Sequence, residues 1–458
     1  MVYHLEDFEQ FTPQRQTLAV FGNPVAHSLS PALHQEFGRE SGVDFDYIAL
    51  EVTEEEFPRA LELARQKLCG FNLTMPFKQL ILPYLSELSD AVRSSGSANT
   101  VSVINGKFYG FTTDGAGLCA ALLRMIPTLS GQRVLILGAG GAARSITDEL
   151  LKANASVTIA ARNSEKSAAF AADFKGAVSC VPFDAIPDAF DVLINATPIG
   201  MRMSDSAPVN LFNLTELRCV YDCIYNPPMT PLLRDAQKRR LLWDNGLSML
   251  VLQGAFSQMH WFHTAFSDDM IEQTITTLRA QQALRRLHEV HGKTNIALTG
   301  FMGCGKTTIG TRLAQLLHMN FVDLDAKIEA EQRMKITEIF DKRGEEYFRE
   351  LETRACEDCR NLKNTVISTG GGTVIRFDND KILKEDALIV FLNRTFAEIE
   401  RNLEHSTNRP LLQVNNVREH IRSLYEFRQP QYLERADISV EFSSDDVEDA
   451  VQHVLLYL

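Results

Sequence analysis

The sequence predicts an α/β protein made of three successive units, each built on a mostly parallel sheet. Three observations carry this reading. Short apolar runs alternate with helix-like stretches along most of the chain, the pattern of strands joined by crossover helices. Two glycine-rich segments, Val134–Ala143 and Leu298–Gly310, each lie between an apolar run and a helix-like one. The 458 residues, 45% hydrophobic and 23% charged, suffice for about three domains of ordinary globular composition.

Taken in order, "TLAVFG" (17–22) reads as a strand, "PALHQEFGRESG" (31–42) as a helix ended by glycine, and "FDYIALEV" (45–52) as a strand. "FPRALELARQKL" (57–68) has the spacing of an amphipathic helix, and "CGFNLTMP" (69–76) that of a strand running into a proline-bent loop. "TVSVINGKFYGFTTD" (100–114) departs from the alternation, because an Asn-Gly pair between apolar runs predicts a hairpin. A second series opens at Gln132: "RVLILG" and "SVTIAAR" as strands around the helix "AARSITDELLKA", then "DVLINAT" and "CVYDCIY". Two helices follow, in "MLVLQGAFSQMHWFHTAF" and "DMIEQTITTLRAQQALRRL", and polar "RRLHEVHGK" breaks the apolar pattern. A third series begins at "NIALTG". The expected organisation is a first domain over 1–113 with returning helices at 254–285, a second over 114–253, a linker at 286–293, and a third domain over 294–458.

The formal net charge of −13 gives no general attraction to nucleic acid or anionic lipid. Anionic substrates would then depend on individual basic residues. No run approaches the ~18 apolar residues of a membrane span. The N-terminal "MVYHLEDFEQF" lacks the basic-then-apolar pattern of a signal peptide. A cytoplasmic monomer or homodimer acting on small molecules is expected. The eight cysteines are scattered. Cys356-Glu-Asp-Cys359 has redox or zinc spacing, but no second CxxC or histidine pair accompanies it, so reduced thiols are expected.

Gly138-Ala-Gly140-Gly141-Ala142-Ala143 follows a strand and opens a helix. Glycine there permits a tight turn and lets bare backbone approach a pyrophosphate at the helix N-terminus, the device of a Rossmann dinucleotide site. The next strand ends without the acidic residue that grips a ribose diol, and Arg162 follows it, suited to a 2′-phosphate, so NADP is expected over NAD. Upstream, Ser28 and Ser30 are spaced to aim two hydroxyls at one anion, or equally to cap the helix that Pro31 starts. Lys78, Asn99 and Asp114 fall on separate loops; a lysine held by an aspartate beside a dinucleotide makes a proton-transfer pair.

The ordered set "SLS", "NLTMPFK", "GSANT", "TTDGAGL", "GAGGAAR", "NATPIGM", "YNPPMTPLL" and "GLSMLVLQ" resembles the shikimate dehydrogenases over residues 15–285. The resemblance implies that Ser28 and Ser30 hold the substrate carboxylate. Thr74, Asn99 and Gln253 would hold ring hydroxyls, with Tyr225 close to the ring. Lys78 and Asp114 would form the catalytic pair, Lys78 donating the proton when the ketone is reduced. Asn195, Ala196 and Thr197 would line the nicotinamide side. NADP-type members show Asn-Arg-Thr or Asn-Arg-Ser after the second strand of the cofactor domain; Ala161-Arg162-Asn163 keeps the arginine and leaves Arg162 and Asn163 as cofactor contacts.

Gly300-Phe-Met-Gly303-Cys304-Gly305-Lys306-Thr307 fits the P-loop pattern in full, between a strand and the helix "TTIGTRLAQLL". Backbone N–H groups of such a loop cradle the phosphates of ATP, Lys306 neutralises the outer ones, and the Thr307 hydroxyl reaches Mg²⁺, with Thr308 next in line. Asp323 and Asp325 end the following strand, two carboxylates placed either for a metal and a substrate hydroxyl or merely for a helix N-terminus. Three glycines, Gly370, Gly371 and Gly372, follow another strand and leave room for a ligand against backbone.

P-loop, "DLD", "GEEYFRELE", "GGG", "RPLL" and "RQPQY", in that order, resemble the shikimate kinases over residues 294–458, which implies an NMP-kinase-like P-loop domain with a parallel sheet. By that resemblance Arg349, Arg428 and the three glycines grip shikimate, Asp325 orients or deprotonates its hydroxyl, Asp323 acts through water at Mg²⁺, and Arg409 is a lid arginine meeting the transferred phosphoryl group. The rest of the lid, "NLEHSTN", departs from the family, where a further arginine is usual and only Arg401 is near.

Together the resemblances imply a bifunctional enzyme of aromatic amino-acid biosynthesis that makes a hydroxyl with NADPH and then phosphorylates it with ATP and Mg²⁺. A quinate/shikimate dehydrogenase with a weak or inactive kinase half is one alternative. A non-enzymatic ligand sensor built from such domains is another; retention of Lys78, Asp114, Lys306, Asp325 and Arg409 argues against it.

Overall fold

The computed structural model describes residues 2–202, 204–376, 378–404, 417–442 and 445–458. The chain forms two compact units, Met1–Leu278 and Arg279–Leu458. The first unit holds two sheets and the second one, so the three α/β series of the sequence each become a sheet.

The first sheet comprises β1 (Val2–Tyr3), β2 (Thr17–Gly22), β3 (Asp46–Glu51), β4 (Gly70–Leu73), β5 (Glu87–Leu88), β6 (Thr100–Ile104) and β7 (Lys107–Phe111), in the order β1-β3-β2-β4-β6-β7-β5. Strands β1–β4 pair in parallel, whereas β6 runs antiparallel to both β4 and β7. The β6–β7 hairpin turns at Asn105 and Gly106, with φ of 51° and 71°. Two successive left-handed residues define the tight turn that Asn-Gly favours. Gly70 has no side chain because the Trp261 indole lies on it and donates from Nε1 to the Val101 carbonyl at 3.0 Å.

The second sheet is wholly parallel: β8 (Arg133–Leu137), β9 (Ser156–Ala160), β10 (Val178–Val181), β11 (Val192–Asn195), β12 (Cys219–Asp222) and β13 (Leu242–Asn245), ordered β10-β9-β8-β11-β12-β13. The strand direction of winding reverses between β8 and β11, the switch point where ligands bind at the carboxyl ends of such sheets. Apolar burial on both faces explains the unbroken runs "VLIL" and "VLI".

The third sheet, in the second unit, has β14 (Asn295–Thr299), β15 (Asn320–Asp323), β16 (Thr365–Ser368), β17 (Ala387–Asn393) and β18 (Ile438–Glu441), all parallel in the order β15-β16-β14-β17-β18. It has a core on each face. Among the described residues no helix is long and apolar enough to cross a membrane.

Two expected boundaries move. The cut at 253/254 falls inside the helix Gly246–Phe262, and the first half of the linker at 286–293 is helical, leaving only 290–293 outside regular structure. A single helix, Asp268–Glu289, runs through the division at Leu278/Arg279. Its Ile271, Ile275 and Leu278 belong to a core of the first unit, and its Ala280, Ala283 and Leu287 to a core of the second. The polar residues that mimic a linker, Arg285 and His288, are the exposed side of its last turns.

Candidate active sites

Lys78 lies in the short helix Phe77–Leu80, just after the proline-bent loop that ends β4. Its Nζ stands 2.6 Å from Oδ2 of Asp114, the first residue of the helix Asp114–Leu123. Only 18% of the lysine side chain and 6% of the aspartate's are exposed, so water screens this pair far less than a surface ion pair. The other Asp114 oxygen accepts from Asn99 Nδ2 at 3.0 Å, and the same Nδ2 donates to Gln253 Oε1 at 3.1 Å. Asn99 Oδ1 accepts the Thr113 N–H at 2.7 Å, which fixes the orientation of the amide. Lys78, Asn99, Asp114 and Gln253, chosen from four separate stretches of sequence, therefore form one hydrogen-bonded group.

Beneath it lies a layer of polar residues that no sequence motif marks. Asn72 Nδ2 lies 3.1 Å from the Asn99 carbonyl, Thr100 Oγ1 and Ser257 Oγ, and Asn72 Oδ1 accepts from the Tyr47 hydroxyl at 2.7 Å. Burial raises the Tyr47 phenol above its ordinary value, opposed by a hydrogen bond with the Ser30 side chain. The network thus reaches from the Lys78–Asp114 pair to the predicted carboxylate site. Ser28 Oγ accepts the Ser30 N–H at 3.2 Å just ahead of the helix Ser30–Ser41, whose N-cap position is Leu29. The Tyr225 hydroxyl bonds the Leu29 backbone between the two serines, and burial raises its pKa against that bond. Thr74 donates its N–H to the Phe21 carbonyl at 2.9 Å, and its methyl crosses β2 where Gly22 lacks a side chain.

His34 stacks on Tyr47 with ring centroids 4.4 Å apart, and Gln258 Nε2 lies 2.9 Å from its Nδ1. Burial lowers its pKa to about 3, opposed by the neighbouring Asn72 side chain. The folded state then keeps His34 neutral while an unfolded chain protonates it near 6.5. Its contribution to stability is intact above pH 6.5 and is lost as pH falls towards 3. At pH 5 the loss is about 2 kcal/mol, at ~1.4 kcal/mol per pH unit. Both tryptophans, Trp243 and Trp261, belong to the first unit, so urea unfolding followed by tryptophan fluorescence reports on that unit. Between pH 7.5 and 5 the parent is expected to lose about 2 kcal/mol more than His34→Phe; equal losses would refute this.

The glycine turn meets its expected requirements. Gly138 has φ of 104° and packs against the Ala196 carbonyl and the Thr197 methyl, while a Cβ on Gly140 would meet nothing within 4 Å. Gly141 and Ala142 open the helix Gly141–Lys152. A Cβ on Gly141 would lie 3.2 Å from Lys78 Cβ and 3.0 Å from Ser97 Oγ, so the turn abuts Lys78 of the Lys78–Asp114 pair directly. An exposed helix N-terminus with bare backbone fits a pyrophosphate. Arg162 is exposed just past β9, and the Ala160 carbonyl of that strand accepts the Gly138 N–H at 2.8 Å. Asn163 instead caps the helix Ser164–Asp173, its Oδ1 accepting the Lys166 N–H at 2.9 Å. Asn195 is fully buried beneath the turn: its Oδ1 accepts from Thr197 N and Oγ1, and its Nδ2 donates to Asp222 Oδ1 at 2.9 Å. Burial lifts Asp222 to about 6 against bonds from Thr230, Ile224 and Asn195.

In the second unit, the P-loop glycines Gly300, Gly303 and Gly305 have φ of 147°, 79° and 97°, backbone that side-chain-bearing residues rarely adopt. Lys306 opens the helix Lys306–Leu316 and donates to the carbonyls of Gly300 and Phe301 at 2.9 and 3.1 Å. Cys304 is buried beside it, whereas Thr307 and Thr308 are exposed on the first turn. Thr307 Oγ1 donates to Asp323 Oδ2 at 2.7 Å, and Asp323 Oδ1 caps the helix Leu324–Gln332. A hydroxyl and a carboxylate side by side fit the all-oxygen preference of Mg²⁺.

The three glycines are where the remaining residues converge. A Cβ on Gly370 would come within 2.6 Å of Asp325 Oδ1 and 2.9 Å of Glu352 Oε1; one on Gly372 would collide with Arg349. Arg428 Nη1 donates to the Gly371 carbonyl at 3.4 Å, and the Tyr432 hydroxyl donates to the same carbonyl. Arg349 is clamped by Glu352 at 2.6 Å and Glu345 at 2.9 Å. Burial opposes its charge, but these two carboxylates outweigh that and raise its pKa. Glu352, with 1% side-chain exposure, also accepts from Thr373 Oγ1 at 2.6 Å. Two arginines and bare backbone around one space suit a carboxylate-bearing ring. Arg409 lies outside the described residues.

Family models match in the same order. That of the shikimate dehydrogenase substrate binding domain covers residues 20–101, and that of shikimate / quinate 5-dehydrogenase covers 121–204. An NADP(+) shikimate dehydrogenase of Staphylococcus haemolyticus is 37% identical over 245 residues, spanning 53% of this chain and 91% of the relative. The chain belongs to the shikimate dehydrogenase family. It also carries a shikimate kinase domain, whose model matches residues 302–458. Among solved structures, the Thermus thermophilus shikimate 5-dehydrogenase in complex with NADP(H) and shikimate is 32% identical, with a TM-score of 0.53, covering 57% of this chain and 98% of that one. The 5-ketofructose reductase of a Gluconobacter species, also 32% identical, has a TM-score of 0.52 and covers 58% and 99%. This dehydrogenase–kinase chain is thus an oxidoreductase and a kinase in one polypeptide, of the NADP-dependent and P-loop kinds expected.

Proposed function

We propose that the chain reduces 3-dehydroshikimate to shikimate with NADPH and then phosphorylates the hydroxyl so formed with ATP, giving shikimate 3-phosphate. The observation that carries the first step is the Lys78–Asp114 pair abutting the glycine turn at Gly141. NADPH, held at the glycine turn Gly138–Ala142, would supply the hydride to the ketone carbon. Lys78 gives a proton to the ketone oxygen, and Asp114 keeps the ammonium charged and aimed. Ser28 and Ser30 receive the carboxylate, Thr74, Asn99 and Gln253 the ring hydroxyls, and Tyr225 closes the ring's edge beside Leu29. Arg162 is the residue for the 2′-phosphate, since Asn163 is engaged as a helix cap.

In the kinase half, Arg349 and Arg428 hold the shikimate carboxylate over Gly370–Gly372. Asp325 takes the proton from the 3-hydroxyl as its oxygen bonds to the γ-phosphorus of ATP and ADP leaves. Lys306 neutralises charge on the transferred group. Thr307 and Asp323 would hold Mg²⁺, which would screen the phosphate charge, and Arg409 is assigned to the lid. No feature of either site favours a quinate-selective enzyme or a non-catalytic sensor. Cytoplasm is the proposed compartment.

One mixture tests this. Protein with 3-dehydroshikimate, NADPH, ATP and Mg²⁺ should yield a shikimate 3-phosphate signal by ³¹P NMR, with kcat/KM higher for NADPH than for NADH. NADPH consumption without the phosphate ester would overturn the kinase assignment, and no NADPH consumption the dehydrogenase one.

A further inference from the structure

Asp222 ends β12 as a fully buried carboxylate whose hydrogen-bond partners are all neutral. An ionised group in that setting is costly to keep, and neither proposed reaction uses it chemically. What it does is join two parts of the dehydrogenase site. On the cofactor side, Oδ1 accepts from Asn195 Nδ2 at 2.9 Å. Asn195 in turn holds Thr197 through both its N–H and its hydroxyl, and Thr197 packs on Gly138 of the glycine turn. On the substrate side, Oδ1 accepts the Ile224 N–H at 3.1 Å and Oδ2 the Thr230 hydroxyl at 2.7 Å. These two bonds tie both ends of the loop that carries Tyr225, whose hydroxyl meets Leu29 between Ser28 and Ser30.

Three donors on one side chain explain why a carboxylate stands here. Both of its oxygens accept, whereas an amide has one accepting oxygen and must turn an NH₂ towards one of the donors. Turned towards Thr230, that NH₂ would meet a hydroxyl oxygen already accepting from Leu233 N at 3.3 Å, and the hydroxyl proton would lose its acceptor.

We propose that Asp222 is a positioning residue for hydride transfer, fixing the nicotinamide edge at Asn195–Thr197 against the substrate edge at Tyr225. The inference rests on the dehydrogenase reading above. It requires that loosening Asp222 changes the hydride step more than the capture of either ligand, because the groups that grip the pyrophosphate and the carboxylate stay in place.

The test compares the parent, Asp222→Asn and Thr230→Val as full chains. Asp222→Asn is expected to lower dehydrogenase kcat by tenfold or more, with the KM for NADPH changed less than twofold and a larger primary isotope effect with deuterated NADPH. Thr230→Val, which keeps the carboxylate and its Asn195 bond, is expected to show a smaller fall in kcat of the same kind. Phosphorylation of added shikimate, measured on each preparation, confirms equal amounts of folded kinase half. Parent-like kcat in both variants overturns the proposal. So does a fall in kcat matched by an equal rise in the NADPH KM and a lower tryptophan-monitored unfolding midpoint, which would mark a purely structural role. If the parent itself does not oxidise NADPH, the dehydrogenase reading fails rather than this one.

Discussion

Replacing Lys78 with methionine is expected to lower dehydrogenase turnover by about 10³-fold, within the ~10²–10⁴ that a positioned general acid contributes. Methionine keeps the length and apolar stem of lysine but has no proton to give. It also leaves Asp114, now without its 2.6 Å partner, as a nearly buried carboxylate at the proposed substrate site. That charge opposes the negative charge developing on the ketone oxygen, so the loss should exceed removal of a hydrogen bond alone. The substrate KM should change little if the serines and Asn99 dominate ground-state binding. Steady-state NADPH oxidation measures the loss, and phosphorylation of added shikimate by the same preparation should match the parent. A fall below tenfold would mean that another group, or water, delivers the proton.

Lys306→Met is expected to cut phosphorylation by ~10²–10³ while NADPH oxidation stays at the parent rate, the scale of removing one preorganised charge from a developing anion. Lys306 already lies along its own loop, donating to Gly300 and Phe301, so the ammonium is held at the phosphate cradle by groups that do not move with the substrate. The cradle itself depends on three positive-φ glycines and should survive the substitution. Coupled ADP release at saturating ATP and shikimate reads kcat directly. A purely raised KM for ATP, with kcat intact, would assign Lys306 to binding rather than to the transferred charge.

Much of this was legible because phosphate sites constrain sequence tightly. A backbone that must turn at φ near 100° and admit phosphates demands glycine, so Gly138 and Gly305 announce themselves. The Lys78–Asp114 pairing could be suggested from residue types on separate loops but was singled out by resemblance, since 36 residues separate the two and nothing local links them. The polar layer of Tyr47, Asn72 and Ser257 stayed hidden for a different reason. Each lies within an otherwise apolar run, and a lone polar residue there looks the same whether it is buried in a network or turned to solvent. Asn163, expected at the cofactor, caps a helix, because a cap residue and a phosphate ligand share the same chemistry at a helix start. The linker reading was drawn by pattern as well: Arg285 and His288 interrupt the apolar rhythm just where a helix shows its outer side.

The helix Asp268–Glu289 has a practical consequence for anyone separating the two activities. Cleaving the chain near 290 would take Ala280, Ala283 and Leu287 away from the kinase half and leave its sheet with an uncovered apolar strip. Starting the kinase near 268 would instead strip Ile271, Ile275 and Leu278 from the dehydrogenase. Each isolated half would then offer a sticky seam for self-association. A pair of stand-alone enzymes from this chain needs the helix in duplicate, one copy for each.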